Sequence, residues 1–223
     1  MEALDDELLQ QADERLSLTQ KLRLVWTQPK RVFTAVVTSN QDFESFLLLF
    51  VTAVLVGFNK SKTVWYYFSR QEEYLNVLEI LRNTAVFIGI YYCMIVLIRW
   101  TGSWLGGKAG FRPLAAVYAF SNTPVLFFII VLGVEYIGWA YLYSDAGHYE
   151  VEFPPWYETL STVILYLKYG VNIFTLVFHV ISIAVVQQFG YFRALLNLLL
   201  AMFMLIVPLF MISYLGWLDF ILR

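Results

Sequence analysis

A single cysteine, two histidines and a charged fraction of 14% deny this chain of 223 residues most of the groups from which catalytic and metal centres are built. One cysteine excludes any intramolecular disulfide and leaves no cysteine pair for a zinc site. Cys93 lies inside an apolar run and reads as a packed or lipid-facing side chain. Lysine and arginine total 15 against 17 aspartate and glutamate, so the net charge of −2 offers no basic face for nucleic acid. The opening residues, Met1-Glu2-Ala3-Leu4-Asp5-Asp6-Glu7, lack the cationic and apolar regions of a cleaved signal peptide, and insertion is expected to depend on internal segments. Neither a fixed-period repeat nor a low-complexity tract is present, and the apolar runs show no inverted duplication of the kind found in many transporters.

What the chain does have is apolar surface. Hydrophobic residues make up 60% and aromatic residues 18%, more than a water-soluble globule of this length can hide. The expected fold is therefore all-α, a polytopic transmembrane helical bundle. Five apolar runs are candidate spans, at about 43–58, 84–100, 114–143, 160–186 and 194–220. The first, at sixteen residues or about 24 Å of helix, is short against roughly 30 Å of hydrocarbon. Residues 1–40 form a separate N-terminal segment before the bundle of 41–223. Within it Leu18, Leu22, Val25 and Trp26 fall at helical spacing with Thr19, Gln20, Lys21 and Arg23 between them, the pattern of an amphipathic helix lying at the membrane interface or docked on the bundle. Pro29 predicts a break and the start of a second short helix.

Lysine and arginine orient the bundle. With the N-terminus inside, Arg15, Lys21, Arg23, Lys30, Arg31, Arg99, Lys108, Arg112 and Arg193 face the cytoplasm, and Lys60, Lys62, Arg70, Arg82 and Arg223 face outward, nine against five. The connector 144–158 carries Asp145, Glu150, Glu152 and Glu158 and no cation, and belongs outside. Five spans then place the C-terminus outside.

Few residues are candidates for chemistry. Charged groups within a bilayer are costly unless paired, lifted to the interface or hydrated, which singles out Glu135 and Lys168 as a candidate intramembrane ion pair. His179, Asn122, Asn172 and Asn197 are candidate polar contacts within the bundle. Pro124 interrupts the third span, where Ser121, Asn122 and Thr123 can satisfy the freed carbonyls. Gly106, Gly107, Lys108, Gly110 and Arg112 form a glycine-rich, cationic hinge. It is no phosphate loop, because the four-residue spacer is missing and Ala109 stands where a hydroxyl is needed. Lys108 and Arg112 are placed instead to meet anionic headgroups. No catalytic set converges, and no cofactor or metal is expected.

Trp26, Pro29 and Phe33, the hinge Gly106-Gly107-Lys108-x-Gly110-Phe111-Arg112, and the alanine-rich start of the third span ending in Pro124 together resemble the Yip-domain family, the Ypt-interacting proteins, over roughly residues 17–215. The absence of a long hydrophilic N-terminal region resembles the bacterial branch. The resemblance implies a five-span bundle with a cytosolic N-terminus and, for the eukaryotic members, a non-enzymatic role in membrane traffic that includes binding small GTPases. The Asp-Leu-Tyr-Gly-Pro-like signature of that branch does not precede the first span here. The function expected is that of a non-enzymatic scaffold or organiser in a bacterial inner membrane, with the bilayer, other membrane proteins or further copies of the chain as partners and no nucleic acid. The alternative is a small transporter or channel using Glu135, Lys168 and His179.

Overall fold

A computed structural model of the chain describes residues 16–39, 42–60, 77–131, 133–134 and 155–222. The described residues are helical, with no strand among them. Helix α1 (Leu18–Leu24) begins at a capping box: Ser17 Oγ accepts the Gln20 N–H, and Gln20 Oε1 accepts the Ser17 N–H at 2.8 Å. Helix α2 (Pro29–Thr38) starts with its proline in the first position, where the missing N–H has no intrahelical partner to lose. Val32, Phe33, Ala35 and Val36 form its buried stripe, and α2 packs against the helix Phe111–Ser121.

Helix α3 (Asp42–Lys60) holds the first apolar run. Its apolar part, Phe43–Asn59, is shorter than the helices that are long enough to span a membrane. Four helices among the described residues are long and apolar enough to cross a membrane, so the protein is an integral membrane protein. They are α4 (Val77–Trp104), the stretch Phe111–Val131 that opens with α5 (Phe111–Ser121), α6 (Pro155–Gln187) and α7 (Tyr191–Leu222). Helices α4, α6 and α7 start earlier than the runs at 84, 160 and 194 predict, because hydropathy detects only their membrane-compatible middles.

The third span is not one continuous α-helix. α5 ends at Ser121, and Thr123–Phe127 turns as a 3-10 helix with Pro124 in its first turn. The interruption lies at Pro124: proline lacks the N–H that would continue the α ladder, and the tighter turn takes its place. At the break Ser121 Oγ donates to the Tyr118 carbonyl at 2.7 Å. Residues 135–143 lie outside the described residues. α7 keeps Pro208 within a continuous helix.

The helices divide into two compact units. The first comprises Met1–Phe46, Gly89–Ser121 and Phe178–Arg223. All of the largest fully buried side chains belong to it, among them Phe33, Ile95, Leu114, Phe120, Ile183 and Leu198. The second comprises Leu47–Ile88 and Asn122–Val177. There Val125 and Phe128 pack against Leu55, Val56, Phe58 and Val171. A Cβ at Gly57 would overlap Thr84 Oγ1 and stand 3.0 Å from the Ile80 carbonyl, so glycine is what lets α3 and α4 approach closely.

Within the first unit α4 and α6 end alike. The Gly107 N–H donates to the Gly102 carbonyl at 2.8 Å and the Gly106 N–H to Ser103, with Gly106 at φ 88°. The Phe189 N–H donates to Ala184 at 2.8 Å and the Gln188 N–H to Val185, with Gln188 at φ 58°. Both are left-handed helix stops of the Schellman type. Glycine adopts that conformation freely, whereas Gln188 holds it at a cost of roughly 1–2 kcal/mol.

Candidate functional site

The polar chemistry of the first unit is concentrated where the α4–α5 and α6–α7 turns meet. Gln187, the last residue of α6, is only 3% exposed. Its Oε1 accepts the Ala109 N–H at 3.2 Å, and its Nε2 lies 3.5 Å from the Ile98 carbonyl. Two glycines make room for it. A Cβ at Gly102 or at Gly107 would overlap the Gln187 amide, and one at Gly107 would also stand 2.8 Å from the Phe189 ring. The side chain therefore acts as a clasp, threading between helix-end glycines and fastening one turn to the other.

A second polar contact belongs to the same unit. Asn197 of α7 and Thr101 of α4 are fully buried, with Thr101 Oγ1 2.5 Å from Asn197 Oδ1 and 2.8 Å from the Leu97 carbonyl. A hydroxyl has one proton, so both contacts are satisfied when the Asn197 amide presents Nδ2 to Thr101 and the hydroxyl donates to Leu97. In the opposite amide orientation Nδ2 is buried without a partner among the described residues.

The N-terminal helices are held by a charge. Lys21 is fully buried, donates to Glu44 Oε2 at 2.8 Å and lies 5.8 Å from the centre of the Phe120 ring. Placing Lys21 on the wet stripe of α1 is thus corrected. Its long stem reaches inward to a carboxylate at the start of α3, so this side of α1 docks on the protein itself. Trp26 and Phe33 complete the docking, with ring centres 5.5 Å and 6.2 Å from that of Phe178.

Deeper in the unit, Tyr118 stacks on His179 at 4.2 Å and meets Tyr91 at 5.4 Å, while the Tyr91 hydroxyl donates to the Ala115 carbonyl. His179 Nε2 is buried without a hydrogen-bond partner among the described residues. Its position is that of a packed aromatic ring rather than a group offered to solvent.

The residues singled out from sequence fare unequally. Asn197 contacts Thr101 across helices, and Asn122 is buried at the break after α5. Asn172 stands on an exposed face of α6, and Lys168 is half-buried eleven residues from His179 along that helix, about 16 Å. Glu135 lies outside the described residues, and with it the expected pair. Gly106, Gly107 and Gly110 lie in the turn between α4 and α5, with Lys108 and Arg112 exposed there. Gln187, Thr101 and the Lys21–Glu44 pair make polar contacts between helices that no motif announces. Glu44 is the one acid in its apolar run, and that anomaly is the only signal the pair gives. Gln187 gives none, since a glutamine at a helix end is ordinary in water. Among the described residues no three histidine, cysteine or acidic side chains converge to hold a metal.

A protein-family model described as the Yip1 domain matches residues 23–215. No curated protein and no solved structure matches the chain.

Proposed function

Since the chain belongs to the Yip1 domain family, we propose that it works without catalysing a reaction, as a membrane-embedded scaffold that organises other membrane components or further copies of itself. The observation that carries this reading is the uneven burial of its spans. In the most apolar stretch of each, 67% is buried in the span that opens with α5, against 33% in α6 and 22% in α4 and α7. Helices α4 and α7 turn large apolar side chains outward, including Val86, Ile90 and Val96 on the one and Leu199, Phe203, Ile206 and Phe210 on the other. Such faces suit lipid or a second membrane protein. The fixed interior is given over to packing and polar fastening.

In the same reading α3 is a fifth, short crossing, which local thinning of the bilayer accommodates. The N-terminus is cytoplasmic, the C-terminus lies outside, and the membrane is a bacterial inner membrane. The partners are the bilayer and membrane proteins, with no role for nucleic acid. Crosslinking in native membranes followed by purification in mild detergent tests the proposal. Discrete crosslinked oligomers or reproducible membrane-protein adducts are expected. A chain that stays monomeric and captures nothing would overturn it.

A further inference from the structure

The described part of the first unit is rich in cations and poor in anions. Against eight lysines and arginines its described helices and turns hold three acids, Asp42, Glu44 and Asp219, and Lys21 already occupies Glu44. Arg99, Lys108, Arg112 and Arg193 are exposed, and none of their side chains makes an ion pair or hydrogen bond among the described residues. The Gln187 clasp gathers them at one end of the unit. Lys108 sits between the two residues that flank the clasp, Gly107 and Ala109, and Arg112 opens α5 just beyond. Arg193 lies in the first turn of α7, on the far side of the turn that Gln187 closes. Arg99 is five residues back from the end of α4, about 7.5 Å, within reach of the same level along its own stem.

Aromatic side chains mark that level independently. Trp100 and Trp104 meet edge to face at 4.9 Å and are 50% and 56% exposed. An indole has an apolar body and a single donor, and its favoured place is the headgroup region of a bilayer. Beyond them α4 and α7 expose apolar side chains that require hydrocarbon. The anionic layer lying directly against hydrocarbon is the phosphate layer of the membrane itself. An acidic protein segment would match the cations but not the tryptophans and the apolar faces that continue from them.

We infer that this end of the first unit is a docking face for anionic phospholipid headgroups, in which Lys108, Arg112 and Arg193 meet the phosphates, Arg99 reaches up to them, and the Trp100–Trp104 pair seats beside them. The glycine turn keeps the three outer cations together because Gln187 locks it. Anionic lipid held here would fasten the α4–α5 and α6–α7 turns to one leaflet. The inference does not depend on the scaffold reading, and a chain that captured no protein partner would leave it standing.

The test is native mass spectrometry of the full-length protein released from micelles containing equal amounts of phosphatidylglycerol and phosphatidylcholine. The unaltered chain should retain phosphatidylglycerol preferentially, and the preference should weaken at high salt. Each of Lys108→Gln, Arg112→Gln and Arg193→Gln should lower it about five-fold, and the triple variant should abolish it. Arg82→Gln, in the second unit and paired with Glu79, should leave it unchanged. Far-ultraviolet circular dichroism and gel filtration establish folding, and if the triple variant misfolds the three single variants carry the same test. Equal retention of both lipids by the unaltered chain, or full preference in the variants, would overturn the inference. So would displacement of phosphatidylglycerol by millimolar inorganic phosphate, the mark of a site for soluble anions.

Discussion

Lys21 shows how one side chain can change the reading of a helix. In sequence it is a polar residue among polar residues, while in the structure it is buried on Glu44 beside Phe120. Taking a lysine and a carboxylate out of water costs several kcal/mol per ion, and the pair repays this only while both partners remain. Lys21→Met alone should therefore destabilise the protein by about 3 kcal/mol, through the uncompensated Glu44. The double variant Lys21→Met/Glu44→Leu should recover most of that loss. Thermal unfolding in detergent, followed by circular dichroism, checks both. Equal losses in the single and double variants would mean that the pair is not what holds α1.

Between helices the decisive contact is the one that joins the two turns. Gly102 and Gly107 are needed for the volume that a side chain would occupy, since the Gln187 amide fills that space. Overpacking of this kind typically costs about 1–3 kcal/mol. Gly107→Ala should lower stability by about that amount, and the added cost should fall in a Gln187→Ala background, where the obstructing amide is gone. Unfolding midpoints for the four members of the cycle supply the coupling energy. Additive losses would place the need for glycine elsewhere. The glycines themselves are legible in the sequence as a turn, because Gly106, Gly107 and Gly110 stand within one short stretch flanked by Lys108 and Arg112. Their partner is not. Gln187 is far from Gly107 along the chain, and no local pattern announces which side chain a glycine makes room for.

Across the protein as a body in a bilayer, orientation is the property with the widest consequences. The excess of lysine and arginine at the α4–α5 turn predicts that it faces the cytoplasm, and the acidic connector 144–158 predicts the opposite side. In a Cys93→Ala background, Lys108→Cys should react with an impermeant maleimide only from the cytoplasmic side of membrane vesicles. His148→Cys should react only from the other side. Labelling of both from the same side would exclude the five-span arrangement. Replacing the native cysteine is necessary because Cys93 is exposed on α4.

Neighbours along the chain were enough to establish a helical membrane protein of the Yip1 domain family, because apolar runs long enough to span hydrocarbon, prolines at helix starts and a glycine turn are all local properties. They were also enough to locate the start of α2 at Pro29 and the interruption near Pro124, since a missing N–H acts within one turn. Which polar groups meet is a different matter. Lys21 with Glu44, Thr101 with Asn197 and Gln187 with the helix-end glycines are pairings between separate helices, set by packing depth and helix register, and they emerge only when the chain is folded. The hinge at 105–114 accordingly owes its cationic outer face to sequence, while its rigidity comes from one glutamine that the fold alone brings there.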